Sequence, residues 1–428
     1  MWVFLFSAAE RRKNVATAEG RGWISRRMSR GAAKESSAAP QLTLRQNGLP
    51  RPSAVATFFR RSAADKRIRS SKPVRAQSLC NRMGILSSAL FALILSTSAF
   101  AQNLVLVNGS VVDGSGKPRV LANVRIRDGK IADIGPVKPL AGEMLLDVKG
   151  MIVAPGFIDL SSLSPSSIQK DPAATSIITQ GVTTAVLGSD GAGPYSVEDF
   201  MLPFDEKPPA LNIATLVGHG TVRRQIMGPD FRRPASPEEI SRMSELVSDA
   251  MKQGAFGLGS DLQQEPASFS TPEEVLALAK VISKFGGTFL AKLRNENEKL
   301  AEAVKEVIGV ARDAKIPVQV LTMNKAAIAE IEKARAQRVD IAADSYSLAQ
   351  FAGDKGTTVE RAIQRMSATP AARMGLRERG ILKKGAPADL AVFNLQALSA
   401  GLKYVLVNGT MVLKDGQPTD LKSGQALR

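Results

Sequence analysis

The stretch Val153-Ala-Pro-Gly-Phe-Ile-Asp-Leu-Ser-Ser-Leu163 decides how the rest of the chain is read. Apolar and β-branched residues run up to Asp159, so a buried strand is expected to meet solvent at that carboxylate. Upstream, residues 103–148 read as short alternating strands broken by turns at Asn108-Gly109, Asp113-Gly114 and Asp128-Gly129. Downstream, short apolar runs at 181–187, 211–217, 255–259, 288–293, 317–323 and 339–343 suit buried parallel strands.

Amphipathic helices fill the intervals. Ser236-Pro237-Glu238-Glu239 and Thr271-Pro272-Glu273-Glu274 each offer an N-cap, a proline at the first helical position and a glutamate for a capping box. Val275, Leu278, Ile282 and Phe285 share one helical face, and Gly286-Gly287 ends that helix. Residues 300–314 and 326–336 follow the same pattern. Repeating βα units with short loops predict an α/β protein built on a (β/α) barrel. Strand and hairpin signals return at 380–394 and 404–416.

The net charge of +17 is a local property. Residues 1–82 hold 18 Lys and Arg against 4 Asp and Glu, which leaves the rest of the chain nearly neutral. No basic face with interleaved aromatics is visible there, so nucleic-acid binding is excluded as a leading reading. The Arg-, Ser- and Ala-rich residues 1–82 are expected to be a disordered extension. Residues 83–101 pair an apolar run with the small-residue site Ala99-Phe100-Ala101, and Arg75 and Arg82 precede it. This is the pattern of a cleaved secretory signal, so the protein is expected to be exported, with no membrane span after cleavage. Met83 is the expected functional start, and a retained extension is the alternative. The single cysteine, Cys80, precedes the signal, so disulfides, thiol catalysis and cysteine metal sites are not expected in the mature chain.

A small β-region followed by Pro155-Gly156-Phe157-Ile158-Asp159 resembles the amidohydrolase superfamily, in particular the N-acyl-D-amino-acid deacylases. Gly181–Gly191, Gly218-His219-Gly220 with Thr221–Arg224, and Lys292-Leu293-Arg294-Asn295-Glu296 resemble that family's second, third and fifth strand motifs. The resemblance covers roughly residues 103–428. It implies a metal-dependent-hydrolase type barrel (residues 153–376) and a composite β-sandwich from 102–152 and 377–428. It also implies hydrolysis of non-peptide C–N bonds by water activated on zinc.

The ligand positions depart from the family pattern. The family's metal-binding His pair corresponds to Ser161 and Leu163, and its other two metal histidines to Lys292 and Thr322. Asp190 stands where the deacylases place a metal-binding Cys, and carboxylate oxygen is an acceptable replacement. Asp159 is the other candidate ligand. The barrel is expected to be incomplete, because after residue 346 the text passes quickly to 358–376 and omits the family's eighth strand with its catalytic Asp.

By this reading Asp190, His219 and Lys292 are the candidate catalytic residues, and Arg294 and Tyr346 would hold substrate. Each has a simpler alternative. His219, the only histidine, can be a lone imidazole hydrogen-bonded under the mouth. Asp190 can accept turn amides, and Lys292 can neutralise Asp190 where a metal would sit. Tight binding of zinc is not expected. The function is then either an exported amidohydrolase of impaired or no activity, or a non-catalytic binding protein. The partner is a small molecule, and an open barrel edge makes a homo-oligomer an expectation.

Overall fold

The computed structural model describes residues 103–161, 164–343, 356–396 and 401–428. The basic extension, the signal-like run, Leu163 and Tyr346 lie outside them.

Strands β1 (Leu104–Val111), β2 (Val120–Arg127), β3 (Lys130–Gly135), β4 (Met144–Asp147) and β5 (Ile152–Pro155) open the chain. Asp128 and Gly129 both take positive φ and close the β2–β3 hairpin. Asn108-Gly109 does not break the strand as expected. Strand β1 runs through it with a register slip, because Asn108 adopts φ 62° and its amide N–H is satisfied by the Asn123 side chain at 2.9 Å. The slip is a bulge, not a turn.

Next come β6 (Phe157–Asp159), α1 (Pro165–Lys170), α2 (Thr175–Ile178), β7 (Val182–Leu187), α3 (Val197–Glu206), β8 (Asn212–Thr215), β9 (Val217–Gly218) and α4 (His219–Met227). They are followed by α5 (Pro237–Lys252), β10 (Gly257–Asp261), α6 (Pro272–Ser283), β11 (Thr288–Lys292), α7 (Leu300–Ala314), β12 (Val318–Val320), α8 (Lys325–Ala336) and β13 (Ile341–Ala343). The strands pair in parallel in the order β6-β7-β8 and β9-β10-β11-β12-β13. Only Leu216 separates β8 from β9, so the two sheets form one barrel wall of seven strand positions. Among the described residues no strand pairs with the outer edges of β6 and β13.

Alternation sorts the side chains. Ile158, Val186, Ala214, Leu216 and Leu290 form a lumen cluster, while Ala185, Leu187, Ile213 and Val217 pack outward against helices. After α9 (Val359–Met366) and α10 (Ala368–Arg373), the residues Ala371, Met374 and Leu376 join that lumen cluster.

The last strands, β14 (Leu390–Phe393), β15 (Tyr404–Val407), β16 (Thr410–Lys414) and β17 (Gln417–Pro418), return to the first sheet. Strand β14 pairs antiparallel with β5, giving the order β17-β16-β15-β14-β5-β1-β2-β3, with β4 on β1. The β2–β3 turn at Gly129 touches the β15–β16 turn at Asn408 and Gly409, so this sheet folds over its own core. Leu390 and Val392 face that core, whereas Ala391 and Phe393 face the barrel. Burial on both faces explains the unbroken apolar text of β14.

A buried polar network joins sheet and barrel. Asp389 pairs with Arg379 and receives the Asn408 amide N–H at 2.8 Å and the Asn212 side-chain amide at 3.1 Å. Burial pushes the Asp389 carboxyl up, against the opposing charge of Arg379. The tail then runs beside β8, with Ile213 N–H donating to the Gln425 carbonyl at 2.9 Å and Leu427 N–H to that of Ile213 at 2.8 Å. Sequence alone gave no sign of this tail. No helix among the described residues is long and apolar enough to cross a membrane.

Candidate active site

Parallel strands end at one rim, so Asp159, Asp261 and Lys292 close β6, β10 and β11 on the same side of the barrel. The loop after β7 adds Asp190. It lies backbone to backbone on its neighbours: a Cβ on Gly259 would stand 2.0 Å from the Gly188 carbonyl, and one on Gly193 2.0 Å from that of Leu216. Only glycine permits this approach. The result is a cleft of 310 Å³ at the mouth, lined by Asp190, Gly191, Gly220, Arg224, Asp261 and Glu265 among others.

The charge partners at the mouth differ from the sequence expectation. Lys292 Nζ lies 2.8 Å from Asp261 Oδ2, so its carboxylate is Asp261 and not Asp190. The lysine side chain is 43% exposed, and that of Asp261 only 8%. Register explains the pairing, because Asp261 and Lys292 are directly opposite on adjacent strands. Asp261 also accepts the Gln263 N–H at 3.1 Å. Asp190 is exposed and accepts the Ala192 N–H at 3.0 Å, and Asp159 accepts that of Ser161 at 3.1 Å.

His219 opens α4 and turns away from the lumen. It is fully buried, with Nδ1 2.9 Å from Ser260 Oγ and Nε2 2.9 Å from Glu274 Oε1. Glu274 also pairs with Arg223. The Arg223 guanidinium donates further to the Phe231 carbonyl at 3.0 Å and to that of Arg233, although its Nε has no hydrogen-bond partner. Burial alone would raise the Glu274 carboxyl, but hydrogen bonds and charge from His219 and Arg223 outweigh it and hold it below the usual carboxylate range. An ionised carboxylate only accepts, so His219 Nε2 is the donor. Both ring nitrogens are thus engaged inside the barrel wall.

Here the second expected capping box fails. In α5 the box is complete, with Ser236 and Glu239 exchanging hydrogen bonds. In α6 Thr271 accepts the Glu274 N–H at 3.3 Å, yet the Glu274 carboxylate points to His219 and Arg223.

Arg294 is held by Glu306 at 2.7 and 2.9 Å and by the Ser268 carbonyl at 3.2 Å. Thr322 is buried and accepts the Asn324 N–H at 3.0 Å. The structure therefore brings Asp190 and Asp261 to one cleft, with Lys292 paired to Asp261, and sets His219 and Arg294 in separate networks. Asp261, Glu274 and Arg223 were not singled out as site residues in the sequence. Asp261 had a legible signal, the acid ending Gly257-Leu258-Gly259-Ser260-Asp261, whereas Glu274 lies 55 residues from its histidine.

A model of the amidohydrolase family matches residues 349–420. D-aminoacylase of Alcaligenes xylosoxydans xylosoxydans is 33% identical over 239 residues, covering 50% of this chain and 49% of that protein. The chain thus spans about half the length of this relative. N-acyl-D-glutamate deacylase of the same organism is 25% identical over 473 residues, covering 76% of this chain and 96% of the relative. Solved structures of D-aminoacylase superpose with a TM-score of 0.67 at 24% identity, covering 76% of this chain and 99% of that one. A zinc- and phosphonate-bound N-acyl-D-glutamate deacylase from Bordetella bronchiseptica gives 0.67 at 23% identity, with the same coverage. In sequence the chain is similar to amidohydrolases of the D-aminoacylase kind, and in fold it matches their solved structures.

The chain is shorter than the N-acyl-D-glutamate deacylase inside the alignment. The 473 aligned positions exceed the 428 residues of the whole chain, so the deacylase carries segments absent here. The donor set does not fit the zinc of the relatives. Among the described residues no three His, Cys, Asp or Glu converge on a metal position. Asp261 is neutralised by Lys292, and the single imidazole is used in the wall. A tight zinc site needs at least three good donors in tetrahedral array.

Proposed function

We propose that this chain is an exported D-aminoacylase-like amidohydrolase that keeps the barrel mouth as a small-molecule site and lacks the hydrolytic centre. The observation carrying this reading is the Lys292–Asp261 pair, in which an ammonium holds the position where the family pattern has a metal histidine. An ammonium repels a divalent cation and has no lone pair to offer it. Deacylation of N-acyl-D-amino acids is then negligible. The relatives named as deacylases support the substrate class, and the cleft between Asp190 and Asp261 offers room for a small ligand. Export rests on the signal-like run ending at Ala101, and self-association on the outer edges of β6 and β13, which pair with no strand among the described residues.

Elemental analysis of the purified protein, with a deacylase assay on N-acyl-D-amino acids, tests the central claim. Less than one zinc per chain and no turnover above background are expected. Stoichiometric zinc with turnover that Asp190→Ala or Asp261→Ala abolishes would overturn it. Intact mass of exported protein should place the first residue at Gln102, and retention of residues 1–82 would refute export by this signal.

A further inference from the structure

A second cavity, larger than the cleft at the mouth, lies elsewhere. It has a volume of 630 Å³ and lies under the barrel floor, where the turn Asp128–Lys130 of the folded sheet meets residues 375–379 and the tail. Phe256, just before β10, forms its apolar side with Leu376 and Leu427, all three belonging to the lumen cluster or packing against it.

Four cations line this cavity, Lys130, Arg377, Arg379 and Arg428, against two carboxylates, Asp128 and Glu378. Two of the cations are presented by fixed pairs. Arg379, whose side chain is 7% exposed, is backed by Asp389 and held by Gln425 Oε1 at 3.1 Å and Asn408 Oδ1 at 3.2 Å. Arg428 is backed by Asp205 at 2.6 Å. Asp389 and Asp205 do not line the cavity, and their pairs with Arg379 and Arg428 leave Lys130 and Arg377 as its uncompensated cations. Lys130 and Arg377 have no side-chain ion pair or hydrogen bond among the described residues. The Gln425 amide oxygen is taken by Arg379, which leaves its nitrogen as a further donor.

We infer that this floor cavity binds a small oxyanion, a carboxylate or phosphate carried on a partly apolar body. Lys130 and Arg377 neutralise it, the Gln425 amide nitrogen adds a neutral donor, and Phe256, Leu376 and Leu427 cover its apolar part. The Arg377 guanidinium suits planar and tetrahedral oxyanions alike. The inference is independent of the mouth, which lies at the other end of the strands.

Isothermal titration of the full chain with inorganic phosphate and, separately, with hexanoate tests it. Binding of at least one is expected, weakened about tenfold or more by Lys130→Ser with Arg377→Ser and unchanged by Asp261→Ala. The stronger of the two probes identifies the anion. Both substituted side chains are exposed, and an unchanged melting curve of the double variant confirms its fold. Failure of both probes to bind at millimolar concentration, or equal binding by the double variant, overturns the inference.

Discussion

The barrel wall behind His219 and the barrel mouth at Lys292 handle charge in opposite ways. In the wall His219, Arg223, Ser260 and Glu274 are all fully buried and bonded to one another. At the mouth the lysine is nearly half exposed and its carboxylate faces an open cleft. A buried charge is tolerated only with its partners in place, whereas a rim charge can be exchanged for another at little cost. The difference teaches why this chain can keep its fold while its mouth departs from the deacylase pattern. The rim is free to vary and the wall is not.

The largest effect should come from the wall. Glu274→Ala leaves the Arg223 guanidinium and the His219 ring buried without the carboxylate between them. Loss of one partner from a buried pair costs about 3–5 kcal/mol. Urea unfolding should show a midpoint shift of that size, and Glu274→Gln, which keeps the shape, a smaller one. A loss under about 1 kcal/mol for the alanine variant would mean that the wall is as permissive as the mouth.

The network under the floor extends the comparison and should rank second. Asn212 donates to the Thr183 carbonyl at 2.9 Å and to Asp389, and accepts from Asn408 at 2.8 Å and from the Gln425 N–H at 3.0 Å. Asn212→Ala takes one hydrogen bond each from the Thr183 carbonyl, the Asp389 carboxylate, the Asn408 amide and the Gln425 N–H, at about 1–3 kcal/mol. Denaturant midpoints for this variant and Glu274→Ala would rank the two. An Asn212→Ala loss equal to the Glu274→Ala loss would show that the neutral carboxamide, and not ionic charge, sets the cost of burial here.

Much of the fold was legible because periodicity is local. All seven barrel strand positions were visible as short apolar runs, and the caps at Ser236 and Thr271 marked two helices within a residue. The bulge at Asn108 was misread because an Asn-Gly pair satisfies a turn and a bulge alike, and only the Asn123 side chain decides between them. The site was less legible. The motif around His219 reads as a strand end, but the helix begins at His219 itself and turns the ring into the wall. Lys292 was assigned to the wrong carboxylate because its partner is set by register with β10, which a linear text does not display. The tail beside β8 and the floor cavity depend on contacts across two hundred residues, beyond the reach of any periodic signal.

The smallest effect should be at the mouth, and it tests the comparison most sharply. Asp261 is itself well buried, so the wall's rule would assign Lys292→Ala a cost of several kcal/mol. Two features argue otherwise. The carboxylate keeps the Gln263 N–H at 3.1 Å after truncation, and it borders a cleft through which water can reach the vacated side. Lys292 is 43% exposed and already screened by solvent. The expected loss is therefore that of a surface pair, at most about 1 kcal/mol. Removal of the ammonium frees Asp261 beside Asp190, yet two carboxylates still fall short of a zinc site, so zinc content should stay below one per chain. A loss near that of Glu274→Ala would make the mouth a second wall. Stoichiometric zinc in Lys292→Ala would instead identify the lysine as the one residue keeping a metal out.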